Sequence, residues 1–133
     1  MLAKVYERKL YRPNFLAQPK LNGIRCLYQS GNLVSREGEV WSLNCLRHIR
    51  EAVKHLDPGN NILDGELYCH GMSLQQINSR VAVKRIDPHK DEYAVQFHVF
   101  DYVSRLPMIE RSLRLADMFR NSEQVYGVQL VPT

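Results

Sequence analysis

Lys20-Leu21-Asn22-Gly23-Ile24-Arg25 places a lysine and an arginine on either side of an Asn-Gly pair. Asn-Gly between alternating residues is the strongest short-range signal for a two-residue hairpin turn. In such a hairpin Lys20 faces Arg25, and like charges that face each other across two strands repel unless an anion lies between them. The segment therefore predicts either a phosphate-binding face or two solvated cations at an exposed turn.

The other face of the predicted hairpin is apolar and is expected to belong to the core. Its residues along the two strands are Phe15, Ala17, Pro19, Leu21, Ile24, Cys26 and Tyr28. Gln18 and Gln29 share the polar face with the two cations, because side chains alternate along a strand. One face then packs, and the other is open to a ligand.

Size and composition predict a single intracellular, cytoplasmic domain. The 133 residues are 44% hydrophobic and 24% charged, which is ordinary for a globular protein. No signal peptide and no apolar run near the roughly 20 residues of a membrane span are present, so no membrane partner is expected. A net charge of +4 favours polyanionic partners such as nucleic acid. Cys26, Cys45 and Cys69 form no C-x-x-C pair and are expected to be buried thiols.

Turn signals and hydrophobic periodicity predict an α+β fold in which antiparallel strands are interrupted by covering helices. The predicted strands cover 24–29, 33–36, 39–41, 61–68, 93–103 and 125–131, with turns at Ser30-Gly31-Asn32 and Glu37-Gly38. The predicted helices cover 43–56, 73–85 and a segment entered at Pro107. Apolar residues at helical spacing are Leu43, Leu46, Ile49, Val53 and Leu56 in the first helix, and Ile109, Leu113, Ala116 and Phe119 in the last. Ser73 and Gln76 form a capping-box pattern for the middle helix.

Asp64 and Glu66 share one face of the strand over 61–68, with leucines on the other face. Two carboxylates next to a core suggest a metal, ribose hydroxyls or a basic partner, or else a polar strand edge. In the strand over 93–103, Phe100 points with the polar residues Gln96 and His98. An aromatic ring on a polar face is either a second packing surface or a platform on which a base stacks. Arg36 stands at a turn, where it reaches either a phosphate or solvent.

Four segments together resemble the adenylation domain of ATP-dependent DNA ligases, especially the small phage and viral ones. They are Gln18-Pro19-Lys20-Leu21-Asn22-Gly23-Ile24-Arg25, Ser35-Arg36-Glu37-Gly38, Asp64-Gly65-Glu66-Leu67 and Phe97-His98-Val99-Phe100-Asp101-Tyr102. Each segment is a weak signal by itself, but the four occur in the family's order and spacing over nearly the whole chain. The resemblance implies a nucleotidyltransferase (ATP-grasp-like) fold, with two antiparallel sheets flanked by helices and the nucleotide between them.

The resemblance also implies roles for individual residues, with ATP and Mg²⁺ as cofactors and nicked double-stranded DNA as partner. Lys20 is expected to be the catalytic nucleophile that takes AMP from ATP, once partial burial, Mg²⁺ and Arg25 have forced its amine to lose a proton. The expected nucleotide-binding residues are Gln18, Lys20, Arg25, Arg36, Glu66 and Phe100; the supporting residues are Asn22, Gly23 and Asp64. Glu66 is also the expected metal contact. The expected protein is a monomer that acts in DNA repair, replication and recombination. It is expected inside a cell, and a phage-infected host is one such cell.

The chain departs from the family in two places. Position 22 is Asn where the family usually has Asp, which removes a charge that orients the lysine or a metal-bound water. No lysine follows Lys90, so the family's later glutamate and lysine elements have no counterpart. The oligonucleotide-binding barrel that normally follows in the family has no counterpart here either. Residues 1–133 are therefore expected to be one partial adenylation domain, incomplete at the C-terminus and not ligation-competent alone.

Other functions remain open on the sequence. RNA ligases and messenger RNA capping enzymes share the lysine motif, and a non-catalytic nucleotide- or DNA-binding remnant of the fold is a second class of explanation. A basic structural domain with no nucleotide site is a third. The polar side of the helix over 43–56 carries Arg47, His48, Arg50, Lys54 and His55. It is either a solvated face or a contact for a DNA backbone.

Overall fold

The computed structural model describes residues 16–123 and 125–133 of the chain. In chain order its elements are β1 (Ile24–Gln29), β2 (Asn32–Ser35), α1 (Arg47–His55), β3 (Ile62–Tyr68), α2 (Leu74–Val81), β4 (Gln96–Val103), α3 (Met108–Arg120) and β5 (Val128–Leu130). The predicted α+β class is confirmed. None of the helices in these ranges is long and apolar enough to cross a membrane.

The strands form one sheet in the order β2-β1-β3-β4-β5. The pairs β1–β2, β1–β3 and β3–β4 are antiparallel, as expected, but β4 and β5 are parallel. The expectation of only antiparallel pairing was wrong at this edge because α3 connects β4 to β5. A helical crossover returns the chain to the same end of the sheet and makes the neighbouring strands parallel. The residues described form this one sheet, not the two that the resemblance implied.

The hairpin predicted at Asn22-Gly23 does not form. Residues 16–22 belong to no strand, and β1 begins at Ile24 with β2 on one side and β3 on the other. Both hydrogen-bonding edges of β1 are therefore occupied, which leaves none for the preceding segment. Ala17 and Pro19 are exposed instead of packed, and Phe15 lies outside the described residues.

Gly23 is needed for close approach and not for a turn. A Cβ on Gly23 would collide with the carbonyl oxygen of Leu67 and lie 2.9 Å from Cγ of Glu66. The backbone of β3 thus passes where any other side chain would begin. The glycine that the sequence predicted for a turn is thus required by the packing of β3 against it.

The turn predicted after β1 is confirmed. Ser30 and Gly31 both have positive φ, at 48° and 81°, and they connect the paired residues Gln29 and Asn32. Two positive-φ residues in a two-residue loop are the hairpin geometry that matches the twist of the strands. The strand predicted over 39–41 is reduced to a single bridge between Val34 and Val40.

Buried and partly buried residues of paired strands form rows across one face of the sheet. One row is Ile24, Leu67, Phe97 and Val128, and the next is Cys26, Gly65, Val99 and Leu130. Buried residues of all three helices join the same hydrophobic cluster: Ile49 and Val53 from α1, Ile77 and Val81 from α2, and Leu115 from α3. The opposite face of the sheet keeps its polar side chains.

Helix α1 begins at Arg47, four residues later than predicted. Leu46 adopts a left-handed conformation with φ of 55°, and its N–H donates to Oε1 of Glu92 at 2.9 Å. This distant carboxylate binds the first N–H group of the helix, a role usually taken by a residue next to the helix. Leu43 is 66% exposed, so its place in the apolar pattern was misleading.

The other two helices match their start signals. The capping box of Ser73 and Gln76 is present, and α2 ends at Val81, earlier than predicted. Pro107 precedes α3 as expected. In α3 the buried residue is Leu115, whereas Ile109 and Leu113 are more than half exposed. The face of this helix that packs on the core is therefore not the predicted one.

We expect Gly65→Ala to destabilise the fold by about 3 kcal/mol, because the new Cβ would collide with the carbonyl of His98 and lie 2.6 Å from Cε2 of Phe97. Gly71→Ala is the matched control. Gly71 has open space around it and a φ of 83°. Its substitution should therefore lower the free energy of unfolding only by the roughly 1–2 kcal/mol that a side chain costs in left-handed backbone. Urea unfolding measures both variants, and equal losses of stability would contradict the close approach of β3 and β4.

We expect one of the three thiols to react under native conditions. Burial raises the pKa of the Cys26 and Cys45 thiols and keeps them protonated, whereas Cys69 is only half-buried. Alkylation requires the thiolate and access to it. Brief treatment with iodoacetamide at pH 8 should therefore modify Cys69 alone, and treatment in denaturant should modify all three. Rapid native labelling of Cys26 would show that the core packing is wrong.

Candidate functional site

The carboxylate of Glu66 binds the backbone that leads into β1. The N–H of Gly23 donates to Oε1 of Glu66 at 2.7 Å, although the two residues are 43 positions apart. This bond fixes the chain only three residues after Lys20. A carboxylate that accepts a backbone N–H makes a charge-assisted hydrogen bond, which is stronger than a neutral one.

Gln18 anchors the same segment on the other side of Lys20. Its amide donates to the backbone oxygen of Phe100 at 2.9 Å and to Oγ1 of Thr133 at 2.8 Å. Phe100 stands at a β-bulge, where the pairing between β3 and β4 shifts after Asp64. A bulge leaves a residue out of the ladder, so the carbonyl of Phe100 can accept from a side chain.

Lys20 lies between these two anchors with its side chain exposed. It makes no hydrogen bond or ion pair with another described residue. The expected partial burial of Lys20 and its position opposite Arg25 were both wrong, because residues 16–22 belong to no strand and Lys20 is exposed. Asn22 is exposed as well.

Arg25 faces carboxylates of β3 in place of Lys20. Its register partner is Glu66, and its guanidinium binds Asp64 through two contacts, one of them Nε to Oδ1 at 3.0 Å. The guanidinium also lies 5.4 Å from the ring centroid of Phe100, within the range of a cation–π interaction. A basic partner was one of the reasons expected for a carboxylate next to the core, and Arg25 is that partner for Asp64.

Arg25, Arg36 and Glu66 line one cleft of about 390 Å³. This volume is within the usual range for small-molecule sites. Trp41 and Asn78 line it too, together with Gly23 and Glu37. Lys20, Gln18 and Phe100 are not among its lining residues. Three of the expected nucleotide-binding residues are therefore brought together, and Arg25 connects their cleft to the ring of Phe100.

The turn that carries Arg36 is held by Ser35. The Ser35 hydroxyl accepts from the N–H groups of Glu37 and Glu39 at 3.2 and 3.1 Å. Gly38 completes the turn with a φ of 89°, which a side chain would disfavour. Arg36 is exposed at the mouth of the cleft, so both solvent and a ligand remain within its reach.

Three further residues of this region had no role predicted from the sequence. His98 pairs with Glu66 across the sheet, and burial lowers the pKa of its imidazole. Strand alternation already put it on this face. Trp41 donates from Nε1 to the backbone oxygen of Val81 at 2.7 Å, and Asn78 extends from the middle of α2. No local pattern signals that α2 reaches the cleft, because only the tertiary fold places it there.

The residues described contain no group of three His, Cys, Asp or Glu side chains that could hold a metal ion. Asp64 is engaged by Arg25, and one oxygen of Glu66 is engaged by Gly23. One oxygen of Glu66 remains as a metal ligand. Mg²⁺ at nucleotide sites binds through one or two carboxylates, waters and the phosphates, so this donor set fits the nucleotide-bound form of the ion.

Helix α1 presents fewer cations than its sequence suggested. Arg50 is buried and donates to the backbone oxygens of Trp41, Ser42 and Cys45. Lys54 pairs with Glu51 at 2.8 Å, and the ring of His48 bonds to the oxygen of Val95. The DNA-backbone alternative for this helix therefore loses Arg50 and is left mainly with Arg47 and His55.

Comparison with known proteins finds similarity in structure alone. No protein-family model and no curated protein matches the sequence. A structure from a study of Lig E DNA ligases is similar with a TM-score of 0.67 and 22% identity. The matched part covers 86% of this chain and 42% of the Lig E chain. The ligase domain of LigD from M. tuberculosis is similar with a TM-score of 0.64 and 18% identity, covering 86% and 38%.

A DNA ligase-adenylate from Chlorella virus is similar as well. Its TM-score is 0.64 with 21% identity, and it covers 98% of this chain and 47% of its own. The chain thus spans less than half the length of each of these proteins. The described residues have the α+β fold found in these DNA ligases.

Proposed function

We propose that this chain is an adenylation domain of an ATP-dependent DNA ligase. In this proposal Lys20 takes AMP from ATP, and the AMP is then passed to the 5′-phosphate at a nick in double-stranded DNA, as DNA repair or replication requires. The observation that carries the proposal is the pair of hydrogen bonds on either side of Lys20, from Gly23 to Glu66 and from Gln18 to Phe100. They join segments that lie up to 82 positions apart.

The reaction assigned to Lys20 is an in-line substitution at the α-phosphorus of ATP. The neutral amine attacks, a nitrogen–phosphorus bond forms, and the bond to the bridging oxygen breaks so that pyrophosphate leaves with the electron pair. The amine proton passes to solvent, which reaches this exposed side chain. Positioning and charge neutralisation control the rate of such a phosphoryl transfer. The hydrogen bonds of Gln18 and Gly23 limit the conformational freedom of the segment that carries Lys20 before ATP binds.

Arg25 and Phe100 form the proposed contact for the nucleoside. Asp64 holds the guanidinium at the wall of the cleft, where the orientation of Arg25 is set before a ligand arrives. Arg25 covers one face of the Phe100 ring, and the adenine is assigned to the other. Stacking of a base on an aromatic ring contributes about 1–3 kcal/mol.

Glu66 and Arg36 are assigned to the ribose and the phosphates. Glu66 has one oxygen beyond the bond to Gly23, and Arg36 brings a cation to the mouth of the same cleft. Glu66 would hold Mg²⁺ through its second oxygen, and the ion would supply further neutralisation of the negative charge that develops on pyrophosphate.

A second candidate function is non-catalytic nucleotide binding. The observation that favours it is the position of Lys20, which is exposed and outside the residues that line the cleft. In that case ATP binds without any covalent transfer. The experiment on Lys20 below separates the two functions, and α-labelled GTP or NAD in place of ATP separates DNA ligases from capping enzymes and NAD-dependent enzymes.

We expect incubation with ATP and Mg²⁺ to add one AMP to the chain, at Lys20. Intact-mass spectrometry followed by peptide mapping measures the adduct. Lys20→Ala should abolish it, because no other amine lies on the anchored segment. Lys90→Ala is the matched control, since Lys90 is exposed and neither it nor its chain neighbours line the cleft, and it should leave the adduct unchanged. ATP binding without an adduct on the wild-type chain would favour the non-catalytic function.

We expect Asn22→Asp to accelerate the adenylation of Lys20 by about tenfold or more in a single turnover, which corresponds to roughly 1.4 kcal/mol of transition-state stabilisation. The new carboxylate would orient the lysine amine two residues away, while nucleotide affinity stays nearly constant. Asn44→Asp adds the same charge at another exposed position and should have no effect. If the two variants react at the wild-type rate, the amide at position 22 does not limit the reaction.

A further inference from the structure

Helix α2 forms a fixed wall of the cleft. The capping box of Ser73 and Gln76 fixes its start, and the buried side chains of Ile77 and Val81 attach it to the core. At its end, the indole N–H of Trp41 donates to the oxygen of Val81 at 2.7 Å. Trp41 lines the cleft itself, so this bond connects the helix directly to the site.

Asn78 is the residue of α2 that lines the cleft. It follows the buried Ile77 and is exposed, and its amide makes no hydrogen bond with another described residue. An amide both donates and accepts, whereas a carboxylate only accepts and a guanidinium only donates. Asn78 therefore brings a hydrogen-bonding capacity that Arg25, Arg36 and Glu66 do not have.

The charge balance of the cleft favours a neutral polar group as the partner of Asn78. The cations Arg25 and Arg36 are matched by the carboxylates of Glu37 and Glu66, and Arg25 is also bound to Asp64 outside the lining. A hydroxyl group suits this environment, because it can donate to Glu66 and accept from the amide of Asn78. A ribose offers two adjacent hydroxyls with that capacity.

We propose that Asn78 is a specificity-determining residue that hydrogen-bonds a ribose hydroxyl of the nucleotide. The proposal rests on the proposed function, since it assigns the nucleotide to this cleft. Glu66 accepts from one hydroxyl through its second oxygen, and Asn78 binds the neighbouring one. Loss of a hydroxyl then leaves the amide without its partner, which lowers affinity. Asn78 thereby selects ribonucleotides over deoxyribonucleotides.

The single tryptophan of the chain provides the readout, because Trp41 lines the cleft. Tryptophan fluorescence is titrated with ATP, 2′-deoxy-ATP and 3′-deoxy-ATP, which absorb equally and so attenuate the signal equally. Equilibrium dialysis of the labelled nucleotides gives the same dissociation constants independently of any fluorescence change. The wild-type chain, Asn78→Ala and Gln75→Ala are compared. Gln75 is the matched control because it is an exposed amide of the same helix that does not line the cleft.

We expect the wild-type chain to bind ATP about three- to tenfold more tightly than at least one deoxy analogue, the effect of one hydrogen bond. Asn78→Ala should lose this preference, and Gln75→Ala should keep it. If ATP binds but Asn78→Ala keeps the preference, or weakens all three nucleotides equally, the role of Asn78 is overturned while nucleotide binding stands. If the wild-type chain binds no nucleotide, this proposal and the proposed function both fail.

Discussion

The hydrogen bond between the backbone N–H of Gly23 and the carboxylate of Glu66 is the contact on which the arrangement of the site depends. It is possible only because position 23 has no side chain, since a Cβ there would collide with the carbonyl oxygen of Leu67. The chain can therefore pass directly over β3 as it enters β1. The segment that carries Lys20 is thereby attached to β3 at the carboxylate of Glu66.

A second constraint acts on the polar face of the sheet. Asp64 is buried and would be costly there as an isolated charge, but the guanidinium of Arg25 binds it through two contacts. The same guanidinium lies over the ring of Phe100. Three strands are thus connected through one arginine, and its orientation is set by the protein before any ligand binds. Such preorganisation lowers the entropy lost on binding.

Buried polar contacts also hold the elements around the cleft. Arg50 donates to the backbone oxygens of Trp41, Ser42 and Cys45, and Glu92 accepts from the N–H of Leu46. These bonds satisfy backbone groups of residues 41–46, which belong to no strand or helix. Trp41, at the start of this segment, then reaches α2 through Val81. The cleft wall is therefore fixed by contacts between residues far apart in the chain.

The sequence by itself determined the element types, the Ser30-Gly31 turn, the capping box of α2 and the shared face of Asp64 and Glu66, because each depends on local periodicity or on turn chemistry. It also carried the four ligase-like motifs. Only the tertiary structure decided that Asn22-Gly23 makes no hairpin, because β2 and β3 compete for both edges of β1. It also decided that β5 is parallel and that Asn78 lines the cleft. Strand pairing and helix placement depend on contacts between distant segments, which a local pattern does not encode.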